Sequence, residues 1–309
     1  MANTCVFVCA VSKSTENYVR ILSNIKEIVK NDIAPDSDNF AFDAEEIHID
    51  FELANFNALR RVFPEQAVRF CFFHCLQSFY RRLSTTGFKK KLKPTPENAK
   101  FREFWDFISG IPSAPIHISE IRVEIIRLLH EFMQNVPNEM NFSERERLSF
   151  QNFESYLLRN YLGDNPTYPI ASWCQFDTIT QGPVNYSRTT NISEAVHSSL
   201  NDNFSRRVAF RTFLEKIFEF KEKMTRNLSA YRGGFEICGE PSQPKKKRKI
   251  AAANTNRLFS VHNSVSRWNS LEPQEKVTQL RAFLIEVGQK RRDSFEASQV
   301  FINLTVDIE

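Results

Sequence analysis

Glycine is scarce in this sequence, with eight glycines among 309 residues, or about 2.6%. In an average protein about 7% of the residues are glycine. No two of them form a G-x-G pair, and none opens a G-x-x-x-x-G-K-[ST] loop. A backbone that approaches a phosphate closely needs glycine at such positions, so Rossmann-type dinucleotide binding and P-loop nucleotide hydrolysis are disfavoured. Any phosphate chemistry would depend on side chains, metal ions or helix ends.

Long apolar runs are also missing, since none reaches the roughly 18 residues that a membrane span needs. The apolar start, residues 2–12, lacks a preceding positive region, and Lys13 follows at once. This favours a strand over a signal peptide. The six cysteines are dispersed, which predicts a reduced, intracellular protein rather than a disulfide scaffold.

The net charge of +4 hides an uneven distribution. Residues 60–100 contain ten Lys or Arg and two Glu, while residues 32–52 contain eight acidic residues and no Lys or Arg. This asymmetry favours two separate electrostatic roles, with two differently charged solvated surfaces as the alternative.

The first 84 residues alternate between apolar runs and helical periodicity. The run CVFVCAV at 5–11 predicts a buried strand. The elements predicted after it are a helix at 16–31, a strand at 45–50, a helix at 52–62, a strand at 68–73 and a helix at 74–84. This alternation is typical of an α/β layer with a largely parallel sheet.

The pattern changes after residue 84. Helices are predicted near 97–109, 117–135, 143–162 and 190–225. The Gly- and Pro-containing residues 231–256 are interpreted as a linker. The tail is predicted to hold a helix at 273–287 and a strand-like end, VFINLTVDI, which could pair with another molecule's sheet and leaves an oligomer open.

Two short groups near the strand ends could bind metal. Asp50 ends a predicted strand, where sites of open α/β sheets assemble, and Glu52 follows closely. The Asp50 carboxylate suits Mg²⁺ or Mn²⁺, unless it caps the next helix instead. Cys71 and His74 form a C-x-x-H pair that could supply two zinc ligands, the alternative being a packed strand-to-helix junction.

A third group lies far downstream, in RTTNISEAVHSSL at 188–200. Glu194 and His197 are three residues apart on one face of a predicted helix. Glu194 could be a second metal ligand beside Asp50, or it could complete a capping box with Thr190 or Asn191.

Taken together, these motifs resemble the transposase domain of Mutator-like elements over about residues 3–205. The D-F-E, F-P, C-x-x-H and R-T-x-N-x-x-E-x-x-H elements occur in the family's order. The similar stretches are CVFVCAVSKSTENYVRIL at 5–22, HIDFELANFNALRRVFPEQAVRFCFFHCLQSFYRRL at 48–83 and RTTNISEAVHSSLN at 188–201.

The resemblance implies an α/β, RNase H-like fold with a mixed sheet and an Asp-Asp-Glu (DDE) triad that carries out DNA transposition with two Mg²⁺ or Mn²⁺ ions. By matching motif, Asp50 is the second Asp and Glu194 the Glu, while Cys71 and His74 support the fold. The implied organisation is a partial RNase H-like core at 1–84, a helical insertion at 85–187, closing helices at 188–230, a basic linker at 231–256 and a C-terminal extension at 257–309.

The family's first Asp, on a strand before the one at 5–11, has no counterpart in this sequence. We therefore expect the first strands of the sheet to be missing and the protein to be a noncatalytic, transposase-derived DNA-binding protein. The alternatives are a fragment or mis-started form of an active DNA transposase, and a relic whose incomplete sheet is unstable.

Two basic clusters predict contacts with partner molecules. The first, RRLSTTGFKKKLK at 81–93, has Phe79, Tyr80 and Phe88 interleaved and predicts contact with DNA phosphates, with a solvated loop as the alternative. Its cations are Arg81, Arg82, Lys89, Lys90, Lys91 and Lys93. The second, PKKKRK at 244–249, predicts nuclear import, with a plain charged linker as the alternative. Its cations are Lys245, Lys246, Lys247, Arg248 and Lys249.

Overall fold

The structure, a computed structural model, describes residues 8, 12–33, 46–182, 210–232 and 245–306. Within these ranges the chain is mainly helical and contains one two-stranded parallel sheet. The helix-rich part follows the strands along the chain, as the sequence predicts.

The N-terminal part alternates between helices and strands. Its elements are α1 (Thr15–Ile33), β1 (Glu46–Ile49), α2 (Leu53–Val62), β2 (Ala67–Phe70) and α3 (Phe72–Thr85). The two strands pair in parallel, from Glu46 opposite Ala67 to Ile49 opposite Phe70. The predicted strand at 68–73 is too long, because helix α3 begins at Phe72 directly after the strand.

The predicted strand at 5–11 lies outside the described residues except for Val8. That side chain is 48% exposed and belongs to no strand. The prediction of a buried strand is therefore wrong at Val8.

The middle of the chain forms a layer of helices, close to the predicted positions. These are α4 (Ala99–Gly110), α5 (Ser119–Glu139), α6 (Glu144–Leu157), a π-helical turn (Leu158–Leu162), α7 (Ile170–Trp173) and α8 (Phe176–Thr180). Helix α6 starts with a capping box, in which Ser143 and Glu146 satisfy each other's backbone N–H groups. Hydrogen bonds from the Ser143 backbone and hydroxyl hold the pKa of Glu146 below its usual range.

Phenylalanine fills the core of this helical layer. The buried rings of Phe88 and Phe101 lie 5.3 Å apart between centroids, and those of Phe104 and Phe150 lie 4.9 Å apart. Such pairs contribute about 0.5–1.5 kcal/mol each beyond the area that they bury. Gly87 allows the chain to turn into this core, since its φ of 101° is one that a side chain disfavours.

The C-terminal part is mainly helical in its described residues. It contains α9 (Phe210–Arg232), α10 (Lys245–Asn269), α11 (Pro273–Thr278) and α12 (Leu280–Val306). Three predictions need correction here. Residues 245–256 belong to α10 rather than to a linker, the helix at 273–287 is split after Thr278, and the strand-like end continues α12 as far as Val306. The lysines and alanines of residues 245–256 favour a helix. At the strand-like end, an existing helix extends more easily than a new strand forms.

Helix α12 is part of the helical core and not a separate extension. It crosses α4 where Gly288 meets the backbone of Asp106 and Gly110. Leu284 and Val287 of α12 are fully buried in the same layer. The packing of the core therefore joins the middle of the chain to its C-terminal part.

Candidate functional site

Asp50 lies at the carboxyl end of β1, where the sequence predicts a site. Helix α2 begins at Leu53 and its N-cap is Glu52, so the alternative that Asp50 caps this helix is wrong. Instead, Asp50 Oδ1 lies 3.2 Å from Nδ1 of His74, and the Asp50 side chain is 51% exposed. The carboxylate is therefore free of a capping role and accessible to a ligand.

The parallel pairing of the strands brings Asp50 and His74 together. The Cys71 N–H donates to the carbonyl oxygen of Ile49 at 2.9 Å, which extends the ladder to the start of α3. His74 then falls in the first turn of α3, beside the end of β1. Two of the predicted site residues thus meet at one edge of the sheet.

Cys71 and His74 lie in different chemical surroundings. Cys71 is buried, as is Cys75 one turn later, whereas His74 pairs with the exposed Asp50. Burial, together with the nearby Cys71, raises the pKa of the Cys75 thiol well above its usual value. The burial of the Cys71 thiol and the pairing of His74 with Asp50 favour the packed junction.

No group of three or more His, Cys, Asp or Glu side chains able to hold a metal occurs in the ranges that the structure describes. Asp50 and His74 supply two adjacent donors that fit part of a ligand set for Mg²⁺ or Mn²⁺. Glu194 and His197 lie outside the described residues.

Glu52 is held by helix α1, a contact that the sequence analysis missed. The Tyr18 hydroxyl donates to Glu52 at 3.1 Å, and Lys13 Nζ lies 3.7 Å from the same carboxylate. Burial raises the pKa of Tyr18, and the hydrogen bond and charge of Glu52 raise it further. The signal was the lysine just before α1 and the tyrosine near its start, which belong to the motif at 5–22. Glu52 therefore ties α1 to the turn after β1.

The basic segment 81–93 divides into exposed and fixed cations. Arg81, Lys89, Lys90 and Lys93 are exposed, and no carboxylate of the described ranges lies within ion-pair distance of these four. The other two cations of this predicted DNA-contacting segment have partners within the protein.

Lys91 and Arg82 are the fixed cations. Lys91 Nζ lies 3.2 Å from Glu146 Oε1 and 4.7 Å from the centre of the Phe142 ring. The Arg82 guanidinium lies 5.4 Å from the centre of the Tyr156 ring. Both are half-buried and contribute to packing.

The aromatic residues interleaved in this segment do not face a partner. Phe79 and Phe88 are fully buried, and Tyr80 packs against Trp105 and Phe295 with ring centroids 6.2 and 5.7 Å apart. Stacking of these rings on nucleic-acid bases is therefore not available in this structure.

The second basic cluster, at 245–249, forms the start of α10. Its neighbours at 233–244 lie outside the described residues.

Comparisons with known proteins identify no relative of this chain. No protein-family model, no curated protein and no solved structure matches the chain. Among the described residues, none of the helices combines the length and the apolar character required to span a bilayer.

Proposed function

We propose that this protein binds DNA through the exposed lysines of residues 89–93 and is related to the transposases of Mutator-like elements, with an RNase H-like core. The proposed function is DNA binding without strand cleavage. The cluster at 245–249 directs it to the nucleus. The motif resemblance and the exposed, unneutralised cations support this proposal.

The observation that carries the proposal is the group Lys89, Lys90 and Lys93. These side chains are exposed on one tight turn, which is anchored in the core by Phe88. A fixed turn presents its cations without a large loss of backbone entropy on binding. Such cations bind phosphates with an affinity that falls steeply with salt and depends little on base sequence.

Replacing Lys89, Lys90 and Lys93 by glutamine should weaken binding to random duplex DNA. If each lysine contacts one phosphate, the slope of log K against log salt should become less steep by about 3, since each contact contributes about 0.9. Fluorescence anisotropy between 50 and 200 mM NaCl measures this slope.

The matched control removes three charges elsewhere. Arg122, Arg145 and Arg159 lie on α5, α6 and the π-helical turn, and their replacement by glutamine should leave the slope nearly unchanged. Equal losses in both variants would show that only net charge matters and would contradict the assignment to residues 89–93.

The second candidate is an active DNA transposase, of which this sequence is a piece. The exposed position of Asp50 beside His74 favours it, because a carboxylate at this strand end is available to a metal ion. In this reading Asp50 and Glu194 hold Mg²⁺ or Mn²⁺, which would stabilise negative charge on a DNA phosphate. A role for zinc at Cys71 and His74 is the weaker possibility, given the burial of the thiol.

Incubation with Mn²⁺ and end-labelled DNA distinguishes the two candidates. We expect neither nicking nor strand transfer from this protein. Cleavage that is lost in the Asp50→Ala variant, while DNA binding persists, would establish the second candidate.

A further inference from the structure

A groove of about 550 Å³ lies between helices α1 and α2. It is separate from the Asp50–His74 pair and from the basic segment 81–93, and no residue of either lines it. In the described part of the chain, the polar and charged residues that line it are Ser23, Lys26, Glu27 and Lys30 from α1 and Arg61 from α2.

The spacing of the α1 residues places them on one face of the helix. Positions 23, 26, 27 and 30 follow the i, i+3, i+4, i+7 pattern, so they line one wall of the groove. The last turn of α2 forms the other wall with Arg61 and Val62.

Among the residues that the structure describes, the lining of the groove has three cations and one carboxylate. Lys26 is fixed, since its Nζ donates to the Val62 carbonyl at 3.2 Å and lies 5.5 Å from the centre of the Phe63 ring. Arg61 makes a contact of 3.9 Å with Glu16, but both side chains are more than 60% exposed. An exposed pair of this kind contributes little, so Arg61 can turn towards an anion in the groove.

We infer that this groove binds the sugar-phosphate backbone of DNA. The inference rests on the proposed function and adds a second contact region to it. Lys26 and Lys30 are one helical turn apart, about 6 Å along the axis, so the wall offers repeated positive charge to a repeating anion. The groove is open and has few apolar residues, unlike the enclosed, mainly apolar sites of small-molecule ligands.

The Lys30→Gln/Arg61→Gln variant tests this groove and keeps Lys26 in its hydrogen bond with Val62. We expect duplex DNA to bind roughly tenfold more weakly at 100 mM NaCl, with the salt slope less steep by about 2. Arg122→Gln/Arg145→Gln removes the same charge from α5 and α6 and is the matched control. Equal thermal melting temperatures of the variants and the parent protein exclude unfolding as the cause.

Glu27→Gln tests the same groove in the opposite direction. Removing the Glu27 carboxylate from the lining removes its repulsion of phosphate, so we expect binding roughly two- to threefold tighter. A merely structural groove would not give this gain. Unchanged or weaker binding of DNA by this variant would contradict the inference.

The two proposals fail in different ways. If the parent protein does not bind duplex DNA, both are wrong. If it binds DNA and only the substitutions at Lys89, Lys90 and Lys93 weaken binding, the groove is wrong and the proposed function stands. If only the groove substitutions weaken binding, the groove is confirmed and the assignment to residues 89–93 is wrong.

Discussion

Replacing Gly288 by alanine is expected to destabilise the folded protein by about 3 kcal/mol or more. A Cβ atom on Gly288 would overlap the carbonyl oxygen of Asp106 and would lie 2.8 Å from the backbone nitrogen of Gly110. These are backbone atoms of α4, which cannot rotate away as a side chain can. The two helices would have to separate and leave their buried residues poorly packed.

Urea unfolding, followed by circular dichroism at 222 nm, measures this loss as a lower midpoint. Gln289→Ala is the matched control, because its position on α12 is exposed and alanine favours helix. We expect the control to change the free energy of unfolding by less than about 0.5 kcal/mol. A Gly288→Ala variant as stable as this control would show that α12 does not cross α4 closely.

Replacing Arg292 by methionine is expected to cost about 3–5 kcal/mol at pH 8. The Arg292 guanidinium is buried and pairs with the buried Asp106 of α4. Its other ion pairs, with Asp293 at 3.0 Å and Glu296 at 3.8 Å, involve carboxylates that are 46% and 41% exposed. Methionine keeps much of the side-chain volume, so the cost arises mainly from a buried carboxylate that has lost its partner.

The cost of this substitution should depend on pH. Burial raises the pKa of Asp106 to about 6, although the charge and hydrogen bond of Arg292 act to lower it. In the unfolded chain the same group titrates near 3.9, so the folded state binds the proton more tightly. The stability that this group contributes is therefore present below about pH 4 and is lost as the pH rises to about 6.

Without Arg292 the pKa of Asp106 should rise further, so protonation at pH 5 removes the unpaired charge. We expect the cost of Arg292→Met at pH 5 to be less than about half of that at pH 8. The Asp106→Asn/Arg292→Met double variant should be more stable than Arg292→Met at pH 8 and nearly independent of pH in this range. Equal costs at both pH values would mean that the charge of Asp106 is not the cause.

The sequence predicted the elements whose signals are local. Alternating buried residues such as Val68 and Phe70, next to turn and helix signals, located β2 and α3 to within a few residues. The position of Asp50 at a strand end was also a local signal, and its neighbour His74 follows from parallel pairing. The capping alternative failed because the helix starts three residues later than Asp50, at Leu53.

Contacts between distant parts of the chain could not be predicted in this way. Gly110 and Gly288 look like ordinary glycines in helical patterns, and only the crossing of α4 and α12 gives them a role. In the sequence Lys91 looks like the neighbouring lysines, and only the structure shows that it pairs with Glu146 of α6. Burial of Phe88 likewise depends on rings contributed by three other segments.

The packing of α12 on α4 also sets the order of events during synthesis. Helix α4 is complete at Gly110, but its partner begins at Leu280, about 170 residues later. At 5–20 residues per second, the face of α4 that α12 covers stays uncovered for roughly 10–35 s on the ribosome. During that interval we expect the nascent chain to present apolar surface and the carboxylate of Asp106 without their partners, a state prone to aggregation.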